Sequence, residues 1–177
     1  MKKDVMHLAA LGLIAAFLGL AAESAAAQEA GSRQTREFVQ AAASSDQYEI
    51  LAAQTALAAS RNPDVRAFAT RMLQDHQQLR QALMDAATRS GLKPPEMAMS
   101  GDQADMLNAL GSAGPQDFDA LYLKQQMLAH RSALVVEQMY AKAGDDANVR
   151  QSAASAVPVI SSHADMASQA AMKVGSQ

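Results

Sequence analysis

Four side chains able to share a metal ion or a proton each interrupt an apolar stretch of the sequence: Glu49, His76, His130 and His163. Around each one, apolar residues recur three and four positions apart, which is the spacing of one face of an α-helix. Imidazole and carboxylate groups are ligands for zinc, iron and copper. A buried polar group without a partner costs about 1–3 kcal/mol, so four of them in core positions predict a shared site.

The positions of these groups along their helices predict that they meet. Glu49 lies thirteen residues before a chain break at Asn62, and His76 lies fourteen residues after it. His130 and His163 lie between fifteen and eighteen residues on either side of the last break in the chain. In antiparallel helices such pairs are level to within half a turn, at about 1.5 Å per residue. We therefore expect one carboxylate and three imidazoles to converge in a helical core.

The ligand set suits a single ion. Bundles that hold two irons use a Glu-x-x-His pair on each of two helices, whereas here Leu73 and Ile160 stand three residues before His76 and His163. One glutamate and three histidines suit one zinc, iron or copper ion. The structural alternative is a set of core histidines satisfied by carboxylates or carbonyls.

A carboxylate and three thioethers are further candidate ligands: Asp75, Met72, Met127 and Met166. Each methionine lies one helical turn from one of the histidines, and thioether with imidazole suits copper(I). Methionine is also a common filler of helical cores, which is the ordinary alternative for these three. Asp75, next to His76, either orients a neighbouring side chain or faces solvent.

The composition favours helices as the elements that position these groups. Of 177 residues 49% are hydrophobic, with many alanines, 11 methionines and only 4% aromatics, whereas a sheet would need more β-branched and aromatic side chains. We predict an all-α fold: a ferritin-like four-helix bundle of two antiparallel hairpins, spanning residues 33–174. The predicted helices cover about 33–60, 64–90, 116–143 and 146–174. The long crossover at 91–115 contains a candidate short helix at 102–110.

The N-terminal segment differs in character from the rest of the chain. Residues 1–27 combine two early lysines, an apolar run and a closing Ala-Ala-Ala, which is typical of a secretory signal peptide. A retained membrane anchor is the rival interpretation, because the run is close to the length of a span. Residues 28–32 are expected to be a disordered start. We expect cleavage after Ala27 and a periplasmic or secreted protein without a transmembrane helix, with outer-membrane association as a candidate.

Charge and motifs exclude several classes of function. The net charge is −3 and the basic residues are scattered, so nucleic acid is not an expected partner. There is no cysteine, hence no disulfide or lipid-anchored cysteine. No nucleophile elbow, zinc-protease motif or phosphate loop occurs, so catalysis ranks below binding. The predicted buried faces of the helices are rich in alanine, which limits the apolar area that they bury. A homodimer or a bound ion is therefore a candidate source of stability.

Three motifs resemble those of a known family: Asp75-His76, Phe118-Asp119-x-x-Tyr122 followed by His130, and Pro158-x-Ile160-x-x-His163. Over about residues 33–172 the chain resembles domain of unknown function 4142, a bacterial family of exported proteins. The resemblance implies a ferritin-like fold and an envelope location, and it leaves the activity unassigned. Members are often labelled outer-membrane proteins, which implies peripheral association here. A looser similarity to exported copper-associated His- and Met-containing domains keeps copper among the metals.

Three functions are compatible with the sequence. The first is a metal-binding envelope protein linked to metal or oxidative stress. The second is a structural or interaction module of the envelope, in which the polar groups form a buried hydrogen-bond network. The third is a pH-responsive switch, in which acidification charges the buried imidazoles.

Overall fold

The computed structural model describes residues 31–175, and helices account for most of them. The helices are α1 (Arg33–Ala59), α2 (Pro63–Arg89), α3 (Gly101–Gly111), α4 (Phe118–Ala143) and α5 (Ala147–Val174). Residues 31–175 contain no strand, so the described chain is all-helical, as the composition predicts. The predicted signal peptide at 1–27 lies outside the described residues.

The predicted disordered start at 28–32 lies only partly within the structure. Its last residue, Ser32, is ordered and caps α1, because its hydroxyl accepts a hydrogen bond from the backbone N–H of Thr35 at 3.0 Å. A serine in this position satisfies one of the unpaired N–H groups in the first helical turn. The helical domain therefore begins with this cap.

Local sequence signals determine where α2 begins and ends. The Asn62 side chain accepts from the backbone N–H groups of Asp64 and Val65, and Pro63 is the first helical residue. Proline is well suited to that position because its missing N–H would have no partner there. Gly91 follows the helix with φ of 69°, the left-handed conformation that favours glycine. Both ends agree with the prediction from sequence.

The four long helices pack in a ring. α1 lies against α2 and α4, and α5 lies against the same two helices. The connections between α1 and α2 and between α4 and α5 are three residues long, so each pair forms an antiparallel hairpin. The contact between α1 and α4 is the least extensive of the four, and α3 packs against both helices there. Ser44 of α1 holds the start of α3, because its hydroxyl donates to Gln103 at 2.6 Å and accepts from the Ser100 N–H.

The turns of the two hairpins contain the same arrangement of a valine and an arginine. Val65 and Val149 are fully buried at corresponding positions of α2 and α5. The next residue in each helix, Arg66 or Arg150, donates to backbone carbonyls of the preceding turn, including Ser60 O and Gly144 O. Each guanidinium thereby satisfies carbonyls that the previous helix leaves without partners. The Val-Arg pair that follows each turn therefore has the same structural role in both hairpins.

The core consists of two apolar clusters with polar side chains between them. One cluster surrounds Phe68 and Tyr122, and the other surrounds Phe38 and Tyr140, whose rings stack with centroids 4.0 Å apart. The residues three and four positions apart on one face of α5 are buried from Val149 to Ala170. The three-and-four spacing that runs through Glu49 and His130 also predicts burial of Ala59 and Ala120, but both are exposed. They lie in the last turn of α1 and the first turn of α4, where the neighbouring helices cover less of the surface.

No helix within residues 31–175 combines the length and apolarity needed to span a bilayer.

Candidate metal centre

Three histidines from three helices meet between the two apolar clusters. His76 comes from α2, His130 from α4 and His163 from α5, and each is at most 2% exposed. Their ring centroids are 5.3 to 5.5 Å apart. One ring nitrogen from each residue lies within 4.8 Å of the other two. The level positions inferred from the sequence therefore bring the three imidazoles together.

The spacing of the nitrogens fits one small cation. The Nε2 atoms of His76 and His130 are 3.4 Å apart. Two imidazoles on a tetrahedral zinc ion, with bonds of about 2.0–2.1 Å, would place their donor atoms roughly 3.3 Å apart. The third nitrogen lies within 4.8 Å of the other two, and binding of the ion would draw it closer.

Carboxylates hold the outer nitrogens of two of the rings. His76 Nδ1 lies 2.8 Å from Asp46 Oδ1, and His163 Nε2 lies 2.9 Å from Asp75 Oδ2. The Arg71 guanidinium donates to the same Asp75 oxygen at 2.6 Å. Carboxylates commonly orient metal-binding histidines in this way, because they fix the proton on the outer nitrogen and direct the other nitrogen inward.

A backbone carbonyl holds the outer nitrogen of the third ring. His130 Nδ1 lies 2.8 Å from the carbonyl oxygen of Gln126, one helical turn earlier. A carbonyl oxygen only accepts, so the proton of the neutral ring is on Nδ1 and the Nε2 lone pair is free. The Gln126 side chain donates in turn to Glu49 Oε2 at 2.7 Å. This contact fixes the start of the turn that presents His130.

In the tautomers that a metal ion requires, the outer ring nitrogens donate and three imidazole lone pairs face one another. With the outer nitrogens donating, the inward atoms are Nε2 of His76, Nε2 of His130 and Nδ1 of His163. The last of these is buried and has no hydrogen-bond partner within residues 31–175. Without a cation, the 3.4 Å contact between the Nε2 atoms of His76 and His130 instead fits a hydrogen bond from one ring to the other, with the neutral Asp46 carboxyl group donating to His76 Nδ1. The arrangement is therefore suited to a metal ion or to a shared proton.

The surroundings favour neutral imidazoles. Burial lowers the pKa of His76 to about 4. Burial, with the nearby His76 ring as a smaller cause, lowers the pKa of His130 to about 3. The pKa of His163 is also lowered, chiefly by burial, although its hydrogen bond to Asp75 acts in the opposite direction. Because a metal binds the neutral ring, it meets little proton competition at neutral pH.

Three buried carboxyl groups surround the histidines, and burial raises the pKa of each to about 8: Asp46, Glu49 and Glu137. For Asp46 the Arg80 guanidinium opposes the effect of burial. For Glu49 and Glu137 the neighbouring charge of Asp46 adds to it. A cation among the imidazoles would favour ionisation of the nearest of these acids.

Glu49, the fourth residue of the predicted ligand set, lies beside the centre but outside the nitrogen triangle. Its Oε1 is 3.7 Å from His130 Nδ1, the outer nitrogen of that ring. Among the histidines and acids of residues 31–175, the cluster that could hold an ion contains only His76, His130 and His163. The level positions inferred from the sequence therefore predict that Glu49 lies next to the site. They do not determine which nitrogen of His130 its carboxyl group faces.

The further candidate ligands, Asp75 and the three methionines, lie outside the group of three imidazoles. Asp75 orients His163 and does not face solvent, which decides between its two predicted roles. Met72 is fully buried in the apolar cluster around Phe68. Met127 and Met166 are partly buried and pack against that same cluster. The methionines thus have the core-packing role that was the ordinary alternative.

Sequence reasoning missed two residues that position the imidazoles. Asp46 lies three residues before Glu49 on the same face of α1, and this spacing could have identified it. Its neighbour Ser45 occupies the position that the three-and-four spacing predicts for the buried face of α1. Gln126 lies one turn before His130 and is fully buried. Because Gln126 carries no charge, the pattern of charged groups in the sequence does not identify it, although its side chain pairs with the buried Glu49.

Comparison with known proteins agrees with the motifs. The family model described as Domain of unknown function (DUF4142) matches residues 20–170. The chain belongs to this family. The DUF4142 chain has no match among curated proteins.

The DUF4142 chain is also similar to a solved helical structure. That structure is titled "Crystal structure of DUF305 fragment from Deinococcus radiodurans", and it matches with a TM-score of 0.70. The match covers 84% of this chain and 99% of that chain, at 17% sequence identity. At this identity the likeness shows a shared fold.

Proposed function

We propose that this DUF4142 protein is an exported, ferritin-like four-helix bundle that binds one metal ion at His76, His130 and His163. The observation that carries the proposal is the convergence of three buried imidazoles: one ring nitrogen of each lies within 4.8 Å of the other two, and each ring makes a hydrogen bond to a neighbouring carboxyl or carbonyl oxygen. The ring order α1–α2–α5–α4 supports the bundle topology. Export to the periplasm rests on the character of residues 1–27.

The donor set favours zinc or copper over iron. Three neutral imidazoles suit both metals, and a three-histidine zinc site leaves a fourth position for water or another ligand. Mononuclear iron sites commonly add a carboxylate to two histidines. The nearest carboxylates here, Asp46 and Asp75, contact the outer nitrogens of the rings. A role in metal handling or envelope stress follows from a buried site of this kind in an exported protein.

Elemental analysis of the protein, purified without chelator or affinity tag, tests the proposal. We expect about one equivalent of zinc or copper, lost in the variant carrying both His76→Ala and His163→Ala. Gln77→Ala is the matched control, because Gln77 is the exposed neighbour of His76 on α2. A wild-type protein that is isolated without metal and fails to bind added zinc, copper or iron would overturn the proposal.

A metal-independent architectural role is the second candidate. Each of three buried contacts joins a different pair of helices: Asp46 to His76, Asp75 to His163, and Gln126 to Glu49. Such a network fixes the register of the helices without any ion. In that case the double histidine variant loses stability while the wild type binds no metal.

A further inference from the structure

A groove lies where α1 and α4 make their least extensive contact. Small side chains face it from both helices, among them Ala42 and Ser45 on α1 and Ala129 and Ala133 on α4. Because none of these side chains is long enough to bridge the two helices, a space of about 450 Å³ is left between them. This volume is within the range of roughly 300–1,000 Å³ typical of small-molecule sites.

The outer part of the groove is apolar. Leu128 and Val136 of α4 line it and are 60% and 42% exposed, and Met106 of α3 lines the other side. Two hydrogen-bonded pairs lie near α3: the Ser44 hydroxyl donates to Gln103, and the Tyr48 hydroxyl donates to Gln125. A hydrocarbon chain lying along this part of the groove would cover exposed apolar surface without separating these hydrogen-bonded pairs.

Two acidic side chains line the groove: Asp102, which is exposed on α3, and Glu137 on α4. Glu137 of α4 is 8% exposed, and its carboxyl group makes no hydrogen bond or ion pair with residues 31–175. The charge with the largest effect on it is the carboxylate of Asp46, which repels it. The Glu137 carboxyl group is thus largely buried and has no partner in the described part of the chain, so a ligand in the groove that supplies a positive charge and hydrogen-bond donors would stabilise its ionised form.

We propose that the groove binds a small primary aliphatic amine, with its ammonium group on Glu137 and its hydrocarbon chain along Leu128 and Val136. An ammonium group carries three donors and the opposite charge to the carboxylate. An alcohol of the same length offers a donor without the charge, and a carboxylate of the same length would repel Glu137. The order of affinities among the three is therefore the signature of the site.

This binding site is separate from the histidine cluster. None of His76, His130 and His163 lines the groove, and Glu137 lies seven residues after His130 along α4. The inference does not rest on metal binding. It can be tested on both metal-free and zinc-treated protein, and a failure of either proposal leaves the other standing.

Isothermal titration of the protein with hexylamine, hexan-1-ol and hexanoate at pH 9, where the Glu137 carboxyl group is ionised and an alkylammonium group is still charged, tests the inference. We expect hexylamine to bind at least tenfold more tightly than hexan-1-ol, and hexanoate to show no binding. Glu137→Gln should weaken hexylamine at least tenfold and leave hexan-1-ol unchanged. Glu96→Gln is the matched control, because Glu96 is exposed and lies outside the groove.

A second variant tests the place of binding. Ala133→Leu adds a branched side chain to the groove wall and should abolish binding of both hexylamine and hexan-1-ol, with circular dichroism confirming that the fold is retained. Equal affinity for the amine and the alcohol, or an unchanged hexylamine affinity in Glu137→Gln, would overturn the inference. So would a protein that sediments as a dimer, becomes monomeric with Leu128→Asp and binds no amine, since the groove would then be an interface between two copies.

Discussion

The role of each residue at the centre depends on which atom faces inward. His76 and His163 present different ring nitrogens to the centre, because Asp46 holds Nδ1 of one ring and Asp75 holds Nε2 of the other. The sequence places the rings at the same level, but it does not determine the side-chain rotation that selects the inward nitrogen. The three imidazoles could therefore be predicted, whereas their tautomers could not.

The position of Glu49 leads to a first prediction. Glu49→Gln keeps a hydrogen-bonding group beside Gln126 and removes the carboxylate. Because Glu49 faces the outer nitrogen of His130, we expect the variant to retain one equivalent of metal in elemental analysis. Metal loss as complete as in the double histidine variant would instead make Glu49 a ligand, as the sequence first suggested.

Asp46 allows the orienting role to be tested separately. Asp46→Asn keeps an oxygen that accepts from His76 Nδ1 and removes the negative charge. Loss of such a carboxylate typically weakens metal binding by about 10–100-fold, and we expect a decrease in that range in a zinc competition titration. Asp85→Asn, at an exposed position of the same helix as His76, should leave the affinity unchanged. An affinity equal to wild type in Asp46→Asn would mean that the charge does not act on the metal.

At the scale of elements, the sequence predicted the long helices well because their ends carry specific signals. Asn62-Pro63 and Gly91 mark the ends of α2 in both sequence and structure. The wide separation of α1 and α4 was not predicted, since it depends on alanine and serine side chains of two helices that are distant in sequence. Periodicity identifies a buried face, but it does not show how closely two such faces approach.

The turn between α4 and α5 gives a prediction about stability. A Cβ atom at Gly144 would overlap the ring and the backbone carbonyl of Tyr140. That ring stacks on Phe38, and its hydroxyl lies 2.8 Å from the Thr35 hydroxyl, so it has little freedom to move. We expect Gly144→Ala to lower the free energy of unfolding by about 1–3 kcal/mol, measured by urea denaturation.

Gly111 is the control for that substitution. It is the last residue of α3 and has open space where its Cβ would lie. Alanine has the higher helix propensity, so Gly111→Ala should be neutral or stabilise by up to about 1 kcal/mol. Equal destabilisation by Gly144→Ala and Gly111→Ala would show that contact with Tyr140 does not limit residue 144.

At the scale of the whole molecule, the buried acids predict how stability depends on pH without metal. Asp46, Glu49 and Glu137 have pKa values raised to about 8 in the folded protein. The folded state therefore holds more protons than the unfolded state between about pH 4 and pH 8, and the stabilisation from these groups is lost as the pH rises through 8. The pKa of His76, lowered to about 4, acts oppositely but only below about pH 6.5, where the unfolded residue gains its proton.

We expect the free energy of unfolding of metal-free protein to fall between pH 6.5 and 8.5. The slope should approach about 4 kcal/mol per pH unit near pH 6.5, because each of three protons corresponds to about 1.4 kcal/mol per unit, and it should decrease above pH 8 as the groups ionise. Glu137→Gln should make the slope shallower by removing one of the three groups. Urea denaturation at pH 6.5, 7.5 and 8.5 measures both effects, and a stability that rises across this range would contradict the raised pKa values.

The division of the core has a consequence for cooperativity. The apolar clusters around Phe68 and Phe38 are separated by a layer of polar side chains, which a cation would join more firmly than their hydrogen bonds do alone. Without metal, the two ends of the domain should therefore open as separate units, each with its own opening free energy in amide hydrogen exchange. Bound zinc would link α2, α4 and α5 at mid-height. The slowest amides at both ends should then exchange only through global unfolding, as one unit.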